Sequence, residues 1–82
     1  SRQLWLELEL AWEQLLLSEE NVVFVEDELS RCQSSFEAGL VTLSELMQAQ
    51  TALRQAQDSL TDDRIAYRTA VSEYLSYSSG MP

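Results

Sequence analysis

One short stretch, Phe36-Glu37-Ala38-Gly39-Leu40-Val41-Thr42, limits what this chain can become, because it is the only break between two long helical patterns. Gly39 has no Cβ and so tolerates the φ > 0 conformation that closes many helices. Three residues on, Thr42-Leu43-Ser44-Glu45 has the form of a capping box, in which the Thr42 hydroxyl accepts from the Glu45 N–H and the Glu45 carboxylate accepts from the Thr42 N–H. Val41 and Leu46 are spaced for a hydrophobic staple across that cap, which would set the angle at which the second helix leaves. Together these signals predict an all-α chain, a long antiparallel two-helix coiled-coil hairpin. Helix 1 is expected over about 2–38, the tip over 36–42 and helix 2 over about 42–78. Each helix would hold roughly 35 residues and span about 50 Å at ~1.5 Å per residue.

The periodicity on either side of the tip agrees. Leu4, Leu8, Ala11, Leu15, Val22, Val25, Leu29, Cys32 and Phe36 alternate steps of four and three, with one gap at Ser18, which is the seam of a coiled coil. The first half of this helix carries more apolar surface than a seam needs: Trp5, Trp12, Leu16 and Val23 lie on one flank, and Leu6, Leu10, Leu17 and Phe24 on the other. A helix apolar nearly all round is expected to be buried. Nearer the tip the pattern narrows among Glu26, Asp27, Glu28, Ser30, Arg31 and Gln33, so that end is expected to be wetter. The second helix reads as two stripes. One is Leu43, Leu46, Gln50, Leu53, Gln57, Leu60, Arg64, Tyr67, Val71 and Tyr74, and the other is the small-residue row Ala49, Ala52, Ala56, Ser59, Asp63, Ala66 and Ala70. One partner cannot cover both, which places this helix between two neighbours. Ser78, Ser79, Gly80, Met81 and Pro82 are expected to end it.

Composition removes several function classes. Acids number 14 against 5 bases, all of them arginine, for a net charge of −9, which argues against binding nucleic acid or an anionic membrane. A single cysteine excludes an internal disulfide and a thiolate zinc site. Without histidine there is no Glu-x-x-His di-iron site and no histidine-based triad, and no glycine-rich phosphate loop is present. No enzymatic activity and no cofactor are expected. The longest apolar runs, Leu15 to Leu17 and Val22 to Val25, are too short to insert in a bilayer as a helix. The helical pattern is already running at Ser1, with no initiating methionine or signal peptide, so the chain is expected to be a piece of a longer protein.

Individual residues have plain readings beside functional ones. Cys32 sits in the seam and reads as a small buried hydrophobe rather than a reactive thiol. Trp5 and Trp12 read as packing rather than a ligand cage. Glu26-Asp27-Glu28 reads as a solvated face partly matched by Arg31, with an acidic channel lining as the functional alternative. Asp62 and Asp63 either pair with arginines such as Arg64 or face water, and Arg64, placed within a seam, is expected to reach an acid or carbonyl on a neighbouring helix. For the tip, Leu40 separates the two readings. A plain turn has little use for an exposed leucine unless it folds back onto the last turn of helix 1.

From Phe36 to about Ala70 the chain resembles the TolC family of outer-membrane efflux channels. The resemblance rests on an ordered set: Phe36 three before Gly39, then Glu45-Leu46-Met47-Gln48-Ala49-Gln50, then Leu53, Ala56 and Leu60, then Arg64, Tyr67 and Ala70, with Gly80 about a residue from the usual closing glycine. The resemblance implies a hairpin excised from a larger α-helical barrel, formed by a trimer in the periplasm below an outer-membrane β-barrel of a Gram-negative bacterium. It implies that the hairpin supplies barrel wall, and that its tip acts as a gate and docks on the hairpin of a periplasmic adaptor, or membrane fusion protein, in drug efflux or type I secretion. The docking and gate residues would be Phe36, Ala38, Gly39, Leu40, Val41 and Thr42. Phe36 stands where the family usually has tyrosine and lacks its hydroxyl, and Val41 stands where some members have a basic residue, so the tip would be apolar rather than ion-paired. A free-standing coiled-coil hairpin that dimerises into a scaffold is the alternative reading. The excess apolar surface predicts that the isolated hairpin self-associates in either case.

Overall fold

A computed structural model of the chain describes residues 2–79, with side chains from residue 2 to residue 76. Two helices, α1 (Arg2–Glu37) and α2 (Leu43–Ser79), pack against each other along their length as an antiparallel hairpin 67 Å long and 14 by 13 Å across. Neither helix contains glycine or proline; α1 is rich in Leu and Glu and α2 in Leu, Ala and Gln, residues that lose little side-chain freedom in a helix. The expected boundaries hold to within a residue; Thr42 lies outside α2 as its cap. The proposed stop at Gly80 lies outside the described residues.

The seam of α1 is the expected one, with a difference at its supposed gap. Leu4, Leu8, Ala11, Leu15, Val22, Val25, Leu29 and Cys32 are all buried or half-buried, and Ser18 keeps the step of three and four unbroken. Only 7 % exposed, Ser18 donates its hydroxyl proton to Asp63 Oδ2 on α2. The hydroxyl can enter the seam because the opposite helix supplies an acceptor. At the tip end Phe36 is 38 % exposed and Ser35 is half-buried instead, so the seam turns by one residue as α1 closes.

The two stripes expected on α2 are replaced by one seam that draws alternately on both. Leu46, Ala49, Leu53, Ala56, Leu60, Asp63, Tyr67, Ala70 and Tyr74 are covered, while Leu43, Gln50, Gln57, Arg64, Ala52, Ser59 and Ala66 are exposed. Steps of three and four run within each stripe and equally well between them, and the row that α1 covers is the mixed one. The close approach centres on Ala56 at 5 % exposure, the most covered residue of α2. Arg64 is therefore not a seam residue. It is exposed, and none of the ion pairs among the described residues involves it.

The remaining apolar side chains of α1 are uncovered in the single chain and, apart from Leu6, whose steps of seven run to Glu13, Glu20 and Asp27 rather than to Leu10 and Phe24, divide between two faces. Trp12 meets Tyr67 with ring centroids 5.2 Å apart and planes tilted by 50°. Tyr67 also lines a groove with Arg64 and Arg68, so the Trp5 and Trp12 column and the α2 arginines share one face. Leu16 and Val23 follow Glu9, which lines the tryptophan groove, at steps of seven and belong to that face too. On the opposite face Phe24 and Glu28 line a groove with Glu45, Gln48 and Ala52. Leu10 and Leu17 precede Phe24 at steps of seven, and Ser59 and Ala66 follow Ala52 likewise.

Candidate functional site

The tip is built by the end of one helix and the cap of the next, and hydrogen bonds from both hold it. The Leu40 N–H donates to the Ser35 carbonyl at 2.8 Å and the Gly39 N–H to the Phe36 carbonyl at 3.0 Å, the paired bonds of a Schellman motif, while the Ala38 N–H donates to the Ser34 carbonyl at 3.1 Å. Gly39 takes φ 77°, the left-handed region, as its place just past α1 requires. The capping box closes as expected: the Glu45 N–H donates to Thr42 Oγ1 at 3.1 Å and the Thr42 N–H to Glu45 Oε2 at 3.3 Å. Val41 and Leu46 are both half-buried, as residues of a staple would be.

Locking the backbone leaves the side chains free to face outward. Ala38, Gly39, Leu40 and Thr42 are exposed, and Phe36 partly so. Leu40 is 77 % exposed, the highest value among the large apolar residues, so it does not fold back onto α1. Open space surrounds the position a Cβ would occupy on Gly39. The apex is thus a rigid bend with small or apolar residues, approachable by another backbone. Leu43 and Met47, each 57 % exposed, continue from Leu40 at steps of three and four and line a shallow groove along α2 with Thr51 and Ala52. Leu43 thus leaves the stripe its spacing assigns it to and joins Met47 in solvent; the spacing 40, 43, 47 is the signal in the sequence for this row.

Elsewhere the chemistry is sparse. Among the described residues no group of three or more Cys, Asp or Glu side chains could hold a metal ion, and no helix is long and apolar enough to cross a membrane. Cys32 is a free, half-buried thiol in the seam. Arg31 pairs with Asp27 at 2.7 Å and lies 4.0 Å from Glu28, an exposed arrangement worth a few tenths of a kcal/mol. Asp63 is taken by Ser18, whereas Asp62 is exposed. Comparison with protein-family models, with curated proteins and with solved structures finds no match to this chain.

Proposed function

We propose that the chain is the periplasmic hairpin of a TolC-like outer-membrane channel, contributing barrel wall and the tip that docks on a periplasmic adaptor hairpin in drug efflux or type I secretion. The observation that carries the docking role is Leu40, 77 % exposed on a bend held by the Schellman bonds and the capping box. An exposed apolar residue on a rigid bend, next to an open glycine, suits contact with another hairpin through shallow packing and close backbone approach. The ordered residue set from Phe36 to Ala70 supports the family, and trimerisation, periplasmic location and the gate follow from that reading alone. No catalytic role is proposed.

The test uses two substitutions with the same backbone strain. Gly39→Ala and Gly39→Arg both force a side chain into the left-handed region, but only arginine puts bulk and charge on the apex. In the parent channel, Gly39→Arg is expected to abolish export while leaving assembly intact, and Gly39→Ala to retain most export. Normal export by the arginine variant removes the docking role. The uncovered tryptophan and phenylalanine faces favour a second reading, a free-standing oligomerisation scaffold. An upstream copy of a similar hairpin, amphipathic β-strands and a signal peptide in the parent gene would favour the channel, since a scaffold needs none of them.

A further inference from the structure

We infer that the two faces of the hairpin are complementary, and that a second copy of this chain stacks side by side on the first, the tryptophan–arginine face of one against the phenylalanine–acid face of the next. Each face is 67 Å by 14 Å, on the order of 900 Å², which matches the ~800 Å² per partner of a stable protein interface. Both faces present large apolar residues to solvent: Trp5 at 51 % and Val23 at 65 % on one, Leu10 at 63 % and Phe24 at 62 % on the other.

Charge selects the occupant. On the first face Arg54, Arg64 and Arg68 are exposed and take part in none of the ion pairs among the described residues, and they offset Glu9, Glu19 and Glu26. Arg64 and Arg68 stand one turn apart, a like-charge spacing that slightly destabilises an isolated helix and is relieved by an external anion. The opposite face carries Glu7, Glu28, Glu45, Asp62 and Glu73 against Arg31 alone, and Arg31 is held by Asp27 and Glu28. The acid-rich face would repel its own copy, and the unpaired arginines of the first face find their strongest counter-charge on that acid-rich face, so the contact is heterologous rather than two-fold. With the tips aligned, Leu16 and Val23 come level with Leu17 and Phe24 of the next copy, and Arg64 and Arg68 fall between its Asp62 and Glu73. Such stacking needs no docking tip and does not rest on the proposed docking role.

Sedimentation velocity on the chain and two charge-reversed variants tests this, with circular dichroism verifying that each stays helical. The unaltered chain is expected to associate at micromolar concentration. Arg64→Glu with Arg68→Glu, and separately Asp62→Arg with Glu73→Arg, should each weaken association about a hundredfold or more, and an equimolar mixture of the two should restore it. Association of either variant at the unaltered level overturns the proposal, as does a helical mixture that stays monomeric. A compact monomer of the unaltered chain would also overturn it and assign the faces to a different protein. Should a reversal variant lose its helical signal, Arg64→Gln with Arg68→Gln and Asp62→Asn with Glu73→Gln carry the same test, with a smaller loss expected and unchanged association overturning it. Export is not a readout here, so failure of stacking and failure of tip docking are told apart.

Discussion

At the scale of single residues, Gly39 and the Ser18–Asp63 pair matter for different reasons. Gly39 is constrained by its backbone alone: φ is 77° and a Cβ would meet nothing. Gly39→Ala should therefore lower hairpin stability by about 1 kcal/mol in urea unfolding, and Gly39→Asn by less, because asparagine tolerates the left-handed region better. An alanine variant as stable as the parent would mean that the turn does not depend on that conformation. Ser18 and Asp63 join the helices by a polar bond within an otherwise apolar seam. Asp63→Leu alone would leave the buried Ser18 hydroxyl without its acceptor and should cost roughly 1–3 kcal/mol. Adding Ser18→Ala should recover most of that loss. What the double variant gives up is register, since an apolar seam no longer penalises a slip by one heptad. Cross-linking of cysteine pairs placed across the seam should then report more than one pairing; a single unshifted pairing would deny the pair a role in register.

At the scale of the elements, the hairpin depends on which row of α2 meets α1. Ala56 and Ala52 belong to the same small-residue row by spacing, yet one is 5 % exposed and the other lies on the surface. Ala56→Leu should force the helices apart and cost about 1–3 kcal/mol by overpacking, whereas Ala52→Leu should change thermal stability by ~0.5 kcal/mol or less. Equal effects at the two positions would contradict the mixed seam. The tip adds little packing of its own. Its hydrogen bonds stop one helix and start the next within a few residues, which leaves Leu40 exposed while its backbone is held.

At the scale of the whole molecule, two helices alone make a thin object. Among the described residues only Leu15, Ser18 and Ala56 are buried, none of them completely, and chains of this size bury a small share of their surface. Stability in isolation should thus be coupled to association. The melting temperature followed by circular dichroism should rise with protein concentration, because anything that binds the folded form preferentially stabilises it. A melting temperature independent of concentration across the micromolar range would show a hairpin that stands alone.

Much of this architecture was legible in the sequence because its signals are local. A glycine just past a helix, a threonine three residues before a glutamate and an unbroken 3-4 rhythm each act within one or two turns, so the bend, both caps and the seam of α1 could be read directly. Rows that are equivalent on one helix become different only when a second helix selects among them. For that reason the single seam of α2, the exposure of Arg64 and Leu43, and the burial of Ser18 opposite Asp63 were decided by the tertiary structure. The outward position of Leu40 belongs with them: spacing allowed it to fold back or stand clear, and only the closed geometry of the tip left it in solvent.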